Sequence, residues 1–223
     1  MNPGFTTPDE NIAIFIAVMN TQSGKNLLFA GVGGQGVLLV AELAARTAMH
    51  AGFDVKKTEV HGAAQRGGSV VSHVRFAPKV YSPLIPAGEV DILLALEKLE
   101  GLRWAHFVRT GGLIVLNDEE RVPAQIDSNP VDYPKQIVTF LVEKGFQTVL
   151  INATELATFL GNYRAANVVL LGTIAEATGL PLESWKVVLR ENLHPKILEL
   201  NLMAFEKGLE LAQKEVCRAI SSH

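Results

Sequence analysis

Apolar and polar positions alternate with two different periods along most of the chain. Short apolar runs, typical of buried strands, are separated by longer stretches in which apolar residues recur at helical spacing. The runs predict strands over residues 26–29, 90–96, 113–116 and 148–151. A further strand is expected near residues 54–59, and alternating polarity predicts one over residues 68–76. The longer stretches predict helices over residues 37–50, 99–108, 135–144 and 154–160. Because strands that alternate with helices pair in parallel through crossovers, the pattern predicts an α/β fold with a Rossmann-like, mostly parallel sheet flanked by helices.

The alternation stops near residue 160, where three successive helices are predicted over residues 165–178, 182–193 and 196–219. An apolar seam with heptad spacing runs along the last one, formed by Leu198, Leu202, Phe205, Leu209, Ala212 and Val216. We expect this seam to pack across the domain rather than to form a free coiled coil. The fold is therefore predicted to end in a helical C-terminal segment.

A few segments depart from the regular pattern. Residues 1–24 predict an N-terminal extension, which leaves residues 25–223 as a single domain. The strand at 68–76 alternates in polarity, which predicts one covered face. Gly111 and Gly112 predict the end of the preceding helix. The proline-containing stretch 118–134 predicts a segment that crosses the protein surface or contacts a partner.

A glycine-rich turn follows the first predicted strand and opens the first predicted helix. Gly31, Gly33 and Gly36 form a G-x-G-x-x-G pattern. Such a turn brings backbone amides and the positive end of a helix together, which suits a phosphate. The candidate cofactor-binding residues here are Gly31, Gly33, Gly34, Gln35 and Gly36. A tight turn without a ligand explains the same residues almost equally well.

A second glycine-rich loop follows the second predicted strand, and Gly67 and Gly68 are its cofactor-binding candidates. Its polar side chains, those of His61, Gln65 and Arg66, are the catalytic candidates. Arg66 offers a planar fork to a carboxylate or phosphate, and His61 exchanges a proton near neutral pH. A solvated loop with Arg66 paired to a local acid is an equally good interpretation. No histidine or cysteine lies at ligand spacing from His61, so no metal site is predicted.

The composition narrows the class of protein. Hydrophobic residues make up 48% of the chain and charged residues 19%, which indicates a globular protein. A net charge of −3 argues against nucleic acid as a partner. The apolar run at residues 12–19 is too short to span a membrane, so we expect a cytoplasmic protein. The single cysteine, Cys217, cannot supply the four ligands of an iron–sulfur cluster, so any cluster must lie on another polypeptide.

The two glycine loops together resemble those of a known family. Residues 31–37 read GVGGQGV, and residues 59–75 read EVHGAAQRGGSVVSHVR. From about residue 25 to the last helix, the chain is similar to the gamma-type subunits of 2-oxoacid:ferredoxin oxidoreductases, and within them to the indolepyruvate type. Residues 162–172 also resemble the family, although we expect Gly172 to permit close helix packing and Asn167 to satisfy a buried backbone group.

The resemblance implies a subunit of an enzyme that oxidatively decarboxylates indolepyruvate or another 2-oxoacid to the acyl-CoA and reduces ferredoxin. In this family, thiamine diphosphate and iron–sulfur clusters reside on a larger partner subunit. The isolated chain is therefore expected to be inactive and to bind no cofactor by itself. Its implied partners are that larger subunit, the 2-oxoacid, coenzyme A and, through the complex, ferredoxin. Residues 31–36 are expected to contact phosphate, and residues 61–68 to face the partner's active site.

Two other functions fit the residues. A free-standing NAD(P)-dependent Rossmann oxidoreductase would use Gly31, Gly33 and Gly36, with Glu59 as the acid that binds the ribose. The non-enzymatic alternative is a scaffold subunit whose glycine loops are purely structural.

Overall fold

The computed structural model describes residues 24–61, 68–121 and 133–221. The expected N-terminal extension up to residue 23, residues 62–67 of the second glycine loop and most of the proline-containing stretch lie outside the described residues.

Six strands form one sheet in the described part of the chain. They are β1 Lys25–Val32, β2 Asp54–His61, β3 Ser69–Ala77, β4 Val90–Ala95, β5 Val108–Asn117 and β6 Gln147–Ile151, in the order β2-β3-β1-β4-β5-β6. The strands β1, β4, β5 and β6 pair in parallel, whereas β3 is antiparallel to both β1 and β2. The predicted α/β fold with a mostly parallel sheet is confirmed, and an antiparallel hairpin extends it on one side.

The helices lie between the strands and after the last one. The described residues form α1 Val37–His50, α2 Lys98–Trp104, α3 Ile137–Glu143, α4 Ala153–Phe159, α5 Ala166–Ala175, α6 Leu182–Asn192 and α7 Pro195–Ser221. Short 3-10 turns extend α2 and flank α5, at Ala105–Phe107, Tyr163–Ala165 and Glu176–Thr178. Each predicted helix is present, and the helical C-terminal segment is confirmed.

Two hydrophobic cores cover the two faces of the sheet. One core packs α1 and α4 to α7 against residues such as Leu27 and Phe29 of β1. The other packs α2 and α3 against residues such as Leu28 of β1 and Leu93 of β4. Successive side chains of one strand pack in different cores. Because both faces of the central strands are therefore buried, their sequences are continuous apolar runs.

The prediction that β3 has only one covered face is wrong. Val74 and Phe76 lie in the core under α1, while Val71 lies in the opposite core. His73, on the same face as Val71, is 4% exposed, and its Nδ1 accepts a hydrogen bond from the Ile85 backbone N–H at 3.3 Å. The loop that follows β3 covers this face, and sequence alternation cannot reveal such a loop.

The interpretation of Gly111 and Gly112 as a helix exit is also wrong, because both lie inside β5. The pairing of β5 with β4 shifts register in this region, between Val90 and Ile92. Gly111 has φ of 72°, which fits an irregular strand residue. The predicted helix consequently stops at Trp104 and passes through a single 3-10 turn into the strand.

Backbone contact between α5 and α7 fixes the helical segment. A Cβ atom on Gly172 would lie 2.2 Å from the carbonyl oxygen of Phe205, and one on Gly208 would lie 2.0 Å from that of Val169. The expected role of Gly172 in close helix packing is therefore confirmed. Phe205 and Leu209 of the heptad seam are buried in the core under α1, as predicted for a seam that packs on the domain.

We predict that Gly172→Ala lowers the free energy of unfolding by about 1–3 kcal/mol, because the added methyl group meets backbone that cannot rotate away. Alanine normally stabilises a helix interior by roughly 0.5–1 kcal/mol relative to glycine, so the predicted sign is opposite to helix propensity. Denaturant unfolding followed by circular dichroism measures the difference. Unchanged or increased stability would contradict the proposed contact.

Candidate functional site

A cavity of about 330 Å³ opens at the carboxyl edge of the parallel strands. Its lining comes from the turn after β1, the chain after β5, the start of α5 and the first turns of α7. The cavity lies beside β1, which has a parallel neighbour on one side and an antiparallel neighbour on the other. Crevices at this edge, next to a change in strand connection, are the usual ligand sites of open α/β sheets.

The side chain of Gln35 holds the first glycine turn in place. Its Oε1 accepts a hydrogen bond from the Val32 backbone N–H at 2.7 Å, and its Nε2 donates to the Leu96 carbonyl oxygen at 2.9 Å. The carboxamide thus bridges the ends of β1 and β4. Its hydrogen-bonding groups stabilise the turn that would carry a ligand.

Two glycines of this turn are required by close contacts. A Cβ atom on Gly31 would lie 2.8 Å from Cγ2 of Val37 and 2.9 Å from Oε1 of Gln35. Gly36 has φ of 87°, and a Cβ atom there would lie 2.1 Å from Nδ2 of Asn167. Gly36 is the N-cap of α1, and no side chain caps this helix terminus. This turn lines the cavity, and no side chain of the described residues caps the helix that follows it.

The two glycine loops predicted from the sequence meet in the structure. The backbone N–H of Gly33 donates to the carbonyl oxygen of Gly68 at 2.9 Å. The second loop joins the antiparallel neighbours β2 and β3, whose last pair is His61 with Val70. Gln65, Arg66, Gly67 and the side chain of His61 lie outside the described residues. The contact between Gly33 and Gly68 places the end of the second loop beside the first.

A buried acidic network contacts the first residue of β3, Ser69. Ser69 donates to Oε2 of Glu100 at 2.5 Å, and Arg103 donates to Oε1 of the same carboxylate at 2.7 Å. Glu97 caps α2 by accepting from the Glu100 backbone N–H at 2.8 Å, and it accepts another hydrogen bond from the Tyr133 hydroxyl. Burial raises the pKa of Glu100 above its ordinary value. Burial, together with Glu97, raises the pKa of Tyr133 as well.

Sequence reasoning missed Glu97 and Glu100. Both acids come directly after the apolar run 90–96, three positions apart, at the start of a helix. Acids at such positions accept hydrogen bonds from the first helical amides and complement the helix dipole. The spacing of these two acids was therefore sufficient to predict that a helix with acidic residues in its first turn begins after β4.

Of the charged side chains around the cavity, some have a partner of opposite charge in the described residues and others do not. Glu119 accepts hydrogen bonds from Arg121 at 2.5 Å and from Asn117 and Thr154 at 3.0 Å each, so its charge is neutralised locally. Arg164 stacks over the ring of Tyr163, with 5.9 Å from its guanidinium carbon to the ring centre. Arg164 forms no ion pair with any acid in the described ranges. The 3-10 turn before α5 thus carries a positive charge that no acid of the described residues pairs with.

The expectation that Asn167 satisfies a buried backbone group is wrong. The residue is 7% exposed and lines the cavity at the first turn of α5. In the part of the chain that the structure describes, its carboxamide has no hydrogen-bond partner. Its Nδ2 lies against Gly36, where α1 begins. Asn167 therefore belongs to the candidate site rather than to the packing of the helical segment.

The geometry disfavours a nicotinamide site that uses Glu59. That residue lies on β2, and β3 separates β2 from β1. Two strand spacings amount to roughly 10 Å, so Glu59 is not on the strand beside the glycine turn, as ribose recognition requires. Its carboxylate also accepts a hydrogen bond from Lys57 at 2.9 Å.

Comparison with known proteins identifies the class. The family described as pyruvate ferredoxin/flavodoxin oxidoreductase matches residues 26–211, and the chain belongs to this family. The indolepyruvate oxidoreductase subunit IorB of Thermococcus kodakarensis is 37% identical to it over 194 residues, which cover 85% of this chain and 96% of the relative. The resemblance predicted from the two glycine loops is therefore confirmed.

Solved structures share the fold. The gamma subunit of a keto/oxoacid ferredoxin oxidoreductase from Geobacter sulfurreducens superposes with a TM-score of 0.65 at 22% identity, covering 85% of this chain and 99% of that one. A second structure is a 2-oxoglutarate:ferredoxin oxidoreductase from Magnetococcus marinus, solved with 2-oxoglutarate, coenzyme A and succinyl-CoA bound. It superposes with a TM-score of 0.68 at 23% sequence identity. That match covers 87% of this chain but 32% of the other, so the same fold is there one part of a longer polypeptide.

The described residues form no helix that is long and apolar enough to cross a membrane. No three histidine, cysteine, aspartate or glutamate side chains in those ranges cluster as metal ligands would.

We predict that Gln35→Ala destabilises the fold by about 1–3 kcal/mol, because the backbone N–H of Val32 and the carbonyl oxygen of Leu96 both lose a partner. Gln213→Ala is the matched control, since Gln213 is exposed and bonds only to Glu176 on the surface. We expect this control to change stability by less than about 0.5 kcal/mol. Equal effects of the two variants in denaturant unfolding would show that the bridge does not stabilise the turn.

We predict that Glu100 makes stability fall as pH rises. An acid with a raised pKa in the folded state keeps its proton longer than in the unfolded chain, so its favourable contribution is complete below its ordinary pKa of 4.5 and is lost above it. The variant Glu100→Gln lacks this titration. The unfolding free energy of the natural protein should therefore drop relative to that of the variant as pH rises from 4.5 through the raised pKa of Glu100.

Denaturant unfolding at a series of pH values measures that difference between the two proteins. A difference that stays constant, or that changes in favour of the natural protein as pH rises, would contradict a raised pKa.

Proposed function

We propose that this chain is the small subunit of an indolepyruvate-type ferredoxin oxidoreductase. Such an enzyme converts an aryl 2-oxoacid and coenzyme A to the acyl-CoA and carbon dioxide, and two electrons pass to ferredoxin. The observation that carries the proposal is the 37% identity to an indolepyruvate oxidoreductase subunit over nearly the whole length of that relative. The unfavourable position of Glu59 removes the main support for the nicotinamide alternative.

A larger partner subunit is part of the proposal, because this chain does not fit the metal cofactors of the reaction. An iron–sulfur cluster takes four thiolate ligands, and the chain contains one cysteine. The Magnetococcus marinus neighbour supports this division, since the shared fold accounts for 32% of its chain. The electron-transferring groups and thiamine diphosphate would therefore be bound by the partner, in the cytoplasm.

Each glycine loop receives a distinct role. The turn at residues 31–36 would contact a phosphate group, because it presents main-chain amides and the uncapped start of α1 to the cavity. The loop at residues 61–68 would face the partner's active site, with His61, Gln65 and Arg66 as its functional side chains. The contact between Gly33 and Gly68 supports this pairing, because it joins the two loops at one edge of the sheet. Residues 25–223 would act as one domain that carries both loops.

Coexpression with the larger subunit tests the function. The purified complex should reduce ferredoxin with indolepyruvate and coenzyme A, whereas this chain alone, given the same substrates, thiamine diphosphate and ferredoxin, should remain inactive. A complex that acts on no aryl 2-oxoacid would refute the proposed substrate, and turnover by the lone chain would refute the division between subunits.

We predict that Arg66→Ala in the intact complex lowers turnover or raises the apparent KM for coenzyme A by about tenfold, because one charge-assisted hydrogen bond is lost. Arg46→Ala is the control, since Arg46 is exposed on α1 and pairs with Glu42. Gel filtration should show unchanged assembly for both variants. Kinetic constants of Arg66→Ala equal to those of the control would remove Arg66 from the site.

A further inference from the structure

The two edges of the sheet differ in their chemistry. Among the described strands, β2 pairs only with β3 and β6 pairs only with β5, so each presents unpaired backbone N–H and C=O groups along its other side. The edge strand β2 carries Lys56 and Lys57, and lysines are the residues that commonly keep an edge strand from pairing with another chain. The other edge strand, β6, has the sequence QTVLI and carries no charged residue. The β6 edge is therefore the one that can accept a further strand.

An apolar side chain of β6 remains exposed at this edge. Thr148 and Leu150 point to the face of the sheet that α2 and α3 cover, because they pair with Ile114 and Leu116, which lie in the core under those helices. Leu150 is nevertheless 40% exposed. Hydrogen bonds alone contribute little net free energy, so apolar groups of this kind are what a second strand would need beside it.

The helix α3 adds another apolar group at the same edge. Its buried stripe contains Ile137 and Leu141, and Phe140 and Val142 lie on the two flanks of that stripe, 46% and 54% exposed. One flank faces α2, which contacts α3 and lies over β1, β4 and β5. The other flank lies over the open edge of β6, so an exposed apolar side chain borders that edge.

The two ends of β6 carry opposite charges. Lys144 lies just before the strand, and Glu155 lies just after it, in the first turn of α4. Lys144 is 5.4 Å from the ring centre of Phe140, and Glu155 accepts a hydrogen bond from the Asn152 side chain at 2.6 Å. Neither has an ion-pair partner among the described residues. When two copies of this strand pair antiparallel, the start of one lies beside the end of the other, so each lysine approaches the glutamate of the other copy.

We propose that the β6 edge is the seam between two copies of this chain, whose sheets join across a two-fold axis. Antiparallel pairing with Val149 on the axis sets Thr148 of each copy opposite Leu150 of the other. A second copy is the occupant that this edge fits, because its own two ends are complementary in charge. The seam uses no residue that lines the candidate cavity, so it goes beyond the proposed function and does not depend on it.

Sedimentation equilibrium of the full chain over a range of concentrations tests the seam. We expect a dimer that dissociates on dilution, and whose dissociation constant rises with salt because the charges at the two ends of β6 are exposed. A chain that is monomeric at every concentration would overturn the proposal. If the chain is monomeric and substitutions in β6 instead prevent assembly with the larger subunit, the edge belongs to that subunit and the two-fold seam is wrong.

A charge on the seam should separate the copies. In Leu150→Lys, two lysines lie diagonally across the axis, about 7–8 Å apart, and repel each other. We expect the dissociation constant of the dimer to rise at least about tenfold. Val60→Lys is the matched control, since Val60 is 47% exposed on the opposite edge strand, and its dimer should be unchanged. A dimer that tolerates Leu150→Lys as well as it tolerates the control would place the seam elsewhere and overturn the proposal.

Charge reversal tests the antiparallel arrangement with substitutions of exposed residues, which remain informative if Leu150→Lys does not fold. Lys144→Glu sets two acids against each other at both ends of the seam, so it should raise the dissociation constant severalfold. Combining Lys144→Glu with Glu155→Lys restores opposite charges and should restore the affinity of the natural protein. A double variant that associates no better than Lys144→Glu would overturn the arrangement.

Discussion

The hydrogen bonds of Gln35 determine the geometry of the carboxyl edge of the sheet. Adjacent parallel strands separate where their connections leave on opposite faces, and the Gln35 carboxamide closes this gap between β1 and β4. Because its two groups bond to backbone on both strands, the turn between them is rigid although it is rich in glycine. The same turn leads into α1, and its Gly33 donates a hydrogen bond to Gly68.

The candidate site is shared between the sheet and the helical segment. The sheet contributes the glycine turn, α5 contributes Asn167, and the 3-10 turn before α5 contributes Arg164. The position of α5 depends on its backbone contact with α7, which Gly172 and Gly208 allow. Glu100, which lies next to the N-cap residue Glu97 in the same acidic network, holds Ser69 at the start of β3.

The alternation of apolar runs and helical stretches was sufficient to predict the sheet, the flanking helices and the helical end of the chain. It failed where tertiary contacts override local pattern. His73 is buried by a loop, and Gly111 lies in an irregular strand rather than at a helix end. The glycine turn was found because its spacing is local. The sequence does not show how α5 crosses the sheet, so the nearness of Asn167 to Gly36 could not be predicted, and Asn167 was expected to satisfy a buried backbone group.

The close approach of Asn167 to Gly36 also constrains how the family can diverge. A side chain at position 36 and an amide at position 167 compete for one volume, so the two sites cannot drift independently. A smaller residue at position 167 would remove the collision but not the backbone constraint, because position 36 has φ of 87°, which glycine adopts far more readily than other residues. The glycine should therefore persist in descendants that lose the asparagine.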